Sequence, residues 1–217
     1  HGRFITRYLQ DTGIDTQHVI VDRSGSVTGL TFTEIKSPTD CSILMYRDNV
    51  ADLKLEPGDV SEDYIQSARA LLISGTALAK SPSREAAFKA MELAIRHGVV
   101  IVFDIEDDEG TAKQWFKHRA KLVVVKRGGD GSTAFSADGE KHVGAVFPAQ
   151  VVKTFGAGDS FAGAFIFGLM QGWSIDRCQQ FGSASASIVV SSHSCSDAMP
   201  TASQIQERID RFVQQGI

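Results

Sequence analysis

The sequence has little of what marks membrane, secreted or nucleic-acid-binding proteins. Its apolar runs are far shorter than the roughly 20 residues that a membrane-spanning helix needs. The 22 basic residues are outnumbered by 26 acidic ones, and the net charge of −4 offers no basic surface for nucleic acid or an anionic membrane. No signal peptide opens the chain. These absences predict a soluble, cytoplasmic protein without nucleic-acid or membrane partners.

Paired cysteines and the common nucleotide-binding patterns are also missing. Cys41, Cys178 and Cys195 are odd in number and lack C-x-x-C spacing, which predicts reduced thiols and excludes a disulfide framework or zinc site. The glycine-rich stretches fit neither the Walker A pattern nor the dinucleotide pattern G-x-G-x-x-G. The protein-kinase signatures are absent too.

What is present is an alternation of strand-like and helix-like segments in a chain of 217 residues, enough for one sizeable domain. Apolar runs such as "LLISGTAL" and "VVIVFDI" alternate with helical segments such as "SPSREAAFKAMELAIRHG". This rhythm predicts an α/β fold with a central, mainly parallel sheet flanked by helices. The earlier stretches "HVIVD", "VTGLTFTEI" and "CSILMYRD" alternate like strands and predict a small separate sheet at about residues 19–48.

The stretch "KTFGAGDSFAGAF" combines a glycine turn with a carboxylate at the start of an apolar helix. Gly156 and Gly158 permit a narrow turn around Ala157, and the first N–H groups of a helix attract phosphate. Asp159 is then placed to accept a proton from a hydroxyl that attacks phosphorus. The alternative is that Asp159 merely caps the helix.

A second glycine stretch, "VVVKRGGDGS", follows a buried strand. Gly128, Gly129 and Gly131 would let a ligand approach the backbone at the carboxyl end of a sheet, where open α/β folds bind ligands. A tight turn between two strands explains the same residues without a ligand.

These two stretches resemble the PfkB, or ribokinase-like, carbohydrate kinases, whose C-terminal signature reads D-T-x-G-A-G-D. The resemblance runs through essentially the whole chain and implies a ribokinase-like fold and a reaction with MgATP. It implies that Asp159 is the catalytic base, with Gly156, Ala157 and Gly158 as the anion hole over the γ-phosphate. It also implies an ATP site made of Lys126, Gly128, Gly131 and Thr154, with the stretch from Ser185 to Ser192 near adenine.

The stretches "TGLTFTEIKSPTDCSILMYRDNVADL" and "GSASASIVVSSHSCSDAMPT" are most similar to the family members that act on a keto-deoxy sugar acid. The implied substrate is 5-dehydro-2-deoxy-D-gluconate of myo-inositol breakdown, phosphorylated on its primary hydroxyl. The alternatives are 2-keto-3-deoxygluconate and, behind it, another sugar of the family such as ribose or fructose. Tyr46 and Arg47 would meet the substrate carboxylate, unless Arg47 is only a solvated strand-end residue. Gly75 and Thr76 end a strand at the expected ligand edge, or form a plain turn. A nucleotide- or sugar-binding sensor without activity is the non-enzyme alternative, and a homo-oligomer through the small sheet, acting as a lid, stays open.

The chain departs from the family pattern at two points. Lys153 stands where the family has an aspartate that helps hold a monovalent cation, so we expect its ammonium to replace the cation unless it points to solvent. The family's first strand region and a segment after about residue 105 are absent, which predicts that the 217 residues are one kinase domain from which these two pieces are missing.

Overall fold

The structure is a computed structural model that describes residues 1–37, 40–104, 113–118 and 120–214. The chain divides into two compact units, residues 1–33 with 43–106 and residues 34–42 with 107–217. The position after residue 105, where the sequence predicts a missing segment, lies outside the described residues.

The described residues form six α-helices and seven strands. The helices are α1 (Gly2–Asp11), α2 (Glu62–Ser67), α3 (Ser83–His97), α4 (Ala157–Met170), α5 (Ile175–Val189) and α6 (Ala202–Gln214). The strands are β1 (Leu30–Ser37), β2 (Asp40–Tyr46), β3 (Ala70–Ser74), β4 (Val100–Asp104), β5 (Leu122–Lys126), β6 (Ser132–Ser136) and β7 (Lys141–Gly144). None of these helices is long and apolar enough to cross a membrane.

In the first unit, β3 and β4 form the parallel pair that the sequence predicts. They run in register from Ala70 opposite Val100 to Ser74 opposite Asp104, so their carboxyl ends lie side by side. Helix α3 contacts both strands and buries Leu93 completely. The helix ends where predicted, because Gly98 follows it in the left-handed conformation at φ 69°.

Strands β1 and β2 pair with each other in a two-stranded sheet of their own. The prediction of strands in this region is therefore confirmed for residues 30–37 and 40–46. It is wrong for "HVIVD", since residues 19–22 are described without strand structure. An alternating apolar pattern forms a strand only where a neighbouring strand pairs with it, and the pattern alone supplies no neighbour.

The sheet of the second unit is antiparallel. β6 pairs with β5 on one side and with β7 on the other, and the turn Gly128–Asp130 joins β5 directly to β6. A parallel neighbour would have required a crossover of a dozen or more residues, which the short glycine stretch cannot provide. The fold is therefore a mixed α/β arrangement, with a parallel pair in one unit and an antiparallel sheet in the other.

Helices α4 and α5 form the core of the second unit. They approach closely because Gly182 has no side chain: a Cβ there would lie 2.8 Å from Cδ2 of Phe161. Phe181 and Ala184 continue the core from α5 to α6, where Ile205 is buried. This packing fixes the direction of α4, and with it the position of the residues at its start.

Candidate active site

The glycine turn before α4 has the predicted geometry at Gly156, whereas Gly158 lies within the helix and is described without a positive φ. Gly156 is the N-cap of α4 and adopts φ 75°, a conformation that favours glycine. Its carbonyl accepts the first helical hydrogen bond from the Ser160 N–H, at 2.9 Å. The Thr154 carbonyl accepts from the Ala157 N–H at 3.3 Å, which closes the turn on its other side. The N–H groups of the first helical turn therefore sit at the positive end of α4.

Asp159 is the third residue of α4 and is exposed. Since Gly156 occupies the N-cap position, the alternative that Asp159 caps the helix is wrong. Asp159 lines a cavity of about 330 Å³ in the second unit, together with Ser160, Phe167 and Ser185. An acidic side chain thus stands beside both a group of backbone N–H donors and a cavity able to hold part of a ligand.

Lys126, the last residue of β5, reaches the start of α4. Its ammonium donates to the carbonyl of Gly158 at 3.5 Å, and the side chain as a whole is exposed. A Cβ added to Gly158 would lie 3.5 Å from the same ammonium, an ordinary contact distance. A positive charge is consequently added to the positive end of the helix, a combination that attracts anions.

The second glycine stretch has a steric explanation. Gly131 has φ 84°, and a Cβ there would lie 2.2 Å from the carbonyl oxygen of Gly144 in β7. Gly128 also has a positive φ of 54° but has open space around its Cα. The interpretation of this stretch as a turn between two strands is therefore confirmed. Gly131 is required by the backbone of that turn whether or not a ligand also binds.

Ser185 and Ser192, the two ends of the stretch predicted to lie near adenine, differ from each other in their surroundings. Ser185 is 2% exposed, and its hydroxyl is 2.6 Å from that of Ser160, which joins α5 to the first turn of α4. Ser192 is partly buried after the end of α5, and its N–H donates to the carbonyl of Val189. Ser185 therefore belongs to the cavity beside Asp159, whereas Ser192 belongs to the turn that ends α5.

Lys153 is buried, with only 1% of its surface exposed, so the alternative that it points to solvent is wrong. Its ammonium donates to the carbonyl of Phe155 and, at 3.3 Å, to that of Val189. A lysine charge therefore lies directly beneath the glycine turn.

The predicted substrate residues Tyr46, Arg47, Gly75 and Thr76 are in the first unit. Tyr46 is exposed and packs edge-on against Phe32, with ring centroids 5.7 Å apart. Arg47 is not a free strand-end cation, because it forms an ion pair with the carboxylate of Asp52.

Gly75 and Thr76 begin a short 3-10 turn directly after β3. The hydroxyl of Thr76 lies 2.6 Å from that of Ser74, the last residue of the strand. Both residues thus stand at the carboxyl end of the parallel pair, as predicted.

Two features of the site were not predicted. Phe167 belongs to the apolar helix α4, yet it is 41% exposed and lines the cavity beside Asp159. Cys195 lies against the glycine turn, where its Sγ is 3.6 Å from the Phe155 carbonyl and would be 3.3 Å from a Cβ on Gly156. No local sequence pattern predicts the contact between Cys195 and Phe155, because the two residues are forty positions apart in the chain.

The start of α4 thus combines a glycine turn, a lysine and an acidic residue beside a cavity, and backbone N–H groups at a helix start of this kind attract anions. Residues 1–114 and 101–202 match the pfkB family of carbohydrate kinases, and the chain belongs to this family. It is similar to 5-dehydro-2-deoxygluconokinase from Geobacillus thermodenitrificans (strain NG80-2), with 56% identity over 97% of this chain and 76% of the relative.

Solved structures confirm the ribokinase-like fold. A fructokinase with bound ATP from Xylella fastidiosa matches with a TM-score of 0.84 at 18% identity, over 97% of this chain and 81% of that one. A putative ribokinase II from E. coli in complex with ATP and Mg²⁺ matches with a TM-score of 0.80 at 21% identity, over 97% of this chain and 79% of the other.

The alignment with the Geobacillus relative runs over 255 residues, more than the 217 of this chain. The relative therefore contains residues inside the matched region that have no counterpart here. The two family matches overlap at residues 101–114, and the segment predicted to be missing after about residue 105 stays a prediction.

Proposed function

We propose that this protein is a 5-dehydro-2-deoxygluconokinase, a cytoplasmic enzyme of myo-inositol breakdown that transfers the γ-phosphoryl group of ATP to the primary hydroxyl of 5-dehydro-2-deoxy-D-gluconate. The observation that carries the proposal is the exposed Asp159 in the first turn of a helix that begins with a glycine turn. The 56% identity to a relative of that name supports the choice of substrate.

Asp159 is the proposed general base. The hydroxyl oxygen of the sugar acid attacks the γ-phosphorus, its proton passes to the carboxylate, and the bond from phosphorus to the bridging oxygen breaks to release ADP. Gly156, Ala157 and Gly158 form the proposed anion hole, since backbone N–H groups at a helix start stabilise charge that develops on the phosphoryl oxygens. The N–H groups of Gly156 and Gly158 would be its donors, because that of Ala157 donates to the Thr154 carbonyl.

The proposed ATP site is built around the start of α4. Lys126 reaches Gly158 and would meet the phosphates, while Thr154 would hold the turn that precedes them. Gly128, Gly131, Ser185 and Ser192 are the other residues that we assign to this site. The chemistry of this donor set fits a polyphosphate, and Mg²⁺ would arrive bound to it, neutralising part of the phosphate charge.

Tyr46, Arg47, Gly75 and Thr76 are the proposed binding residues for the sugar acid. A guanidinium can hold a carboxylate through two parallel hydrogen bonds, which gives Arg47 a reason to select an acid over a neutral sugar. Its ion pair with Asp52 must then be exchanged for one with the substrate. Such an exchange is feasible because a partly exposed ion pair contributes only about 0–1 kcal/mol.

The small sheet of β1 and β2 is the proposed lid, and a homo-oligomer through it is part of the same proposal. Both strands expose apolar side chains, including Phe32 at 59% and Leu44 at 57%. Exposed apolar strands of this kind are suited to cover a substrate or to meet a second copy of the chain.

A coupled assay of ADP release tests the function directly. We expect turnover with 5-dehydro-2-deoxy-D-gluconate at the highest kcat/KM, and much less with 2-keto-3-deoxygluconate, ribose or fructose. Preference for 2-keto-3-deoxygluconate would replace the proposed substrate by the alternative. Nucleotide binding without turnover on any of these sugars would favour a sensor.

A further inference from the structure

Lys153 is the one charged residue in the buried core of the described part of the chain. Burying an ammonium costs free energy unless hydrogen bonds replace its hydration shell. A lysine at a merely structural position would normally place its charge in water and bury only its stem. The position of this ammonium therefore needs a reason beyond packing.

The two acceptors of the ammonium belong to different parts of the second unit. The Phe155 carbonyl lies in the turn directly before Gly156, and the Val189 carbonyl ends helix α5. The end of a helix carries partial negative charge, so a cation is favourable there. The N–H groups of Val152 and Lys153 also donate to the carbonyl of Val190, at 2.8 and 3.3 Å. These bonds hold the segment before the turn against the C-terminal end of the same helix.

The bond to the Phe155 carbonyl has a geometric consequence for Gly156. In a trans peptide unit the C=O and the following N–H point in opposite directions. Because the ammonium holds the Phe155 oxygen on its side, the Gly156 N–H must point away from the buried charge. The weak donor Sγ of Cys195, 3.6 Å from the same oxygen, acts in the same direction.

We infer that Lys153 is a positioning residue for phosphoryl binding: its ammonium fixes the peptide unit between Phe155 and Gly156, and so sets the direction of the N–H donors at the start of α4. This inference rests on the proposed function, since the donors serve catalysis only if phosphate binds there. Lys153 does not touch the substrate. It acts through the turn, so its loss should weaken nucleotide binding and turnover and leave the binding of the sugar acid unchanged.

The first test compares Lys153→Met with Lys121→Met. Methionine keeps most of the length and apolar volume of lysine but removes the charge, and Lys121 is an exposed lysine of the same unit, just before β5. Affinity for ADP is measured by calorimetry, kcat and both KM values by the coupled assay, and folding by circular dichroism at the assay temperature.

We expect Lys153→Met to weaken ADP binding and to lower kcat by about ten- to a hundredfold each, the range of a lost charge-assisted hydrogen bond. KM for the sugar acid should stay within about twofold of the native value, and Lys121→Met should behave like the native enzyme. A folded Lys153→Met variant with native ADP affinity and native kcat overturns the inference. So does a variant with a lower Tm whose folded fraction binds ADP normally.

The second test replaces the ammonium from solution. Lys153→Ala leaves a space beside the two carbonyls, and ammonium or methylammonium should restore its ADP affinity and turnover, whereas the larger tetramethylammonium should not. If Lys153→Met does not fold, the rescue of Lys153→Ala becomes the decisive test of the inference. Ammonium or methylammonium must then restore both the folded state and the ADP binding of this variant. Failure to restore either overturns the inference. ADP binding is measured without sugar, so an enzyme inactive on every sugar would contradict the proposed function and leave this test intact.

Discussion

Asp159 and Asp63 are both acidic residues in the first turn of a helix, but their surroundings differ. Asp159 follows a glycine N-cap and lines a cavity, whereas Asp63 stands in the first turn of α2, whose N-cap Ser61 accepts a hydrogen bond from the Tyr64 N–H. Both carboxylates interact favourably with a helix N-terminus. A comparison of the two positions therefore separates helix stabilisation from chemistry.

Asp159→Asn should remove most turnover while ADP affinity, measured by calorimetry, stays near the native value. The amide keeps the size of the side chain but cannot accept the proton, and a general base typically contributes about 10²–10⁴-fold in rate. Asp63→Asn is the matched control and should keep native kcat. Near-normal kcat in Asp159→Asn would show that the carboxylate only stabilises the helix.

Arg47→Met should raise KM for the sugar acid by about ten- to a hundredfold and leave KM for ATP nearly unchanged, because the proposed charge-assisted hydrogen bonds of Arg47 would reach only the substrate carboxylate. Steady-state kinetics with each substrate varied in turn measure both values. Asp52→Asn also breaks the ion pair but keeps the arginine, and should not raise the sugar-acid KM. An equal rise for both substrates would place Arg47 outside the sugar site.

His142 should make stability depend on pH. The hydrogen bond to Asp176, at 2.9 Å, and the nearby carboxylate of Glu140 raise the pKa of the imidazole above its usual 6.5. Since the folded state holds the proton more tightly, this contribution is complete below about pH 6.5 and is lost as pH rises through the folded-state pKa. Urea unfolding at a series of pH values should show this loss in the native protein and not in His142→Asn; parallel curves would contradict it.

At the scale of secondary-structure elements, the short β5–β6 turn shows how one glycine can have two explanations. Gly131 was assigned to the ATP site, yet its Cβ would overlap the Gly144 carbonyl. Gly129, two residues earlier, has open space around its Cα and is described without a positive φ. The same stretch thus contains a glycine that the backbone requires and one that it does not.

Gly131→Ala should lower the free energy of unfolding by about 1–3 kcal/mol or more, because an unfavourable φ adds to the steric overlap with β7. Gly129→Ala should change stability little. Chemical unfolding with and without ADP measures both effects. If Gly131→Ala folds with native stability but loses ADP affinity, the glycine is required by the ligand and not by the strand.

Sequence patterns predicted the elements that are defined by local signals. Helix α3 ends at the predicted Gly98, and the turn at Gly156 has the predicted left-handed conformation, because both are consequences of a missing side chain. The prediction of a strand at residues 19–22 is wrong because strand pairing depends on residues that are distant in sequence. The burial of Lys153 could not be predicted from its neighbours, since its second acceptor, Val189, is 36 residues away.

At the scale of the whole molecule, the pfkB family matches this chain in two segments, residues 1–114 and 101–202, and the interruption predicted after about residue 105 would fall where they overlap. Strand β4 ends at Asp104, immediately before that position. The family and the fold were recognisable because the signature around Asp159 and the stretches near residues 28–53 and 182–201 lie outside the interruption. The residues that a relative has there could not be inferred from those that remain.

Turnover of the native enzyme should be insensitive to potassium. The ammonium of Lys153 already occupies the carbonyls beneath the glycine turn, so an added cation has no equivalent place to bind. The measurement is kcat at fixed MgATP, with potassium exchanged for a large organic cation at constant ionic strength. Strong activation by potassium would contradict the expectation, whereas Lys153→Asp should gain a dependence on it.

The donors of the glycine turn belong to the main chain, and this affects how the site can be probed. Exchanging side chains at Ala157 or Gly158 leaves every peptide N–H in place, so side-chain mutagenesis would find little in the proposed anion hole. Losses would appear instead at positions outside the turn such as Lys153 and Cys195, which donate to the Phe155 carbonyl and are inferred to orient those peptides. Replacing single amides by esters would remove one donor at a time without changing any side chain, and would show the contribution that conventional mutagenesis leaves hidden.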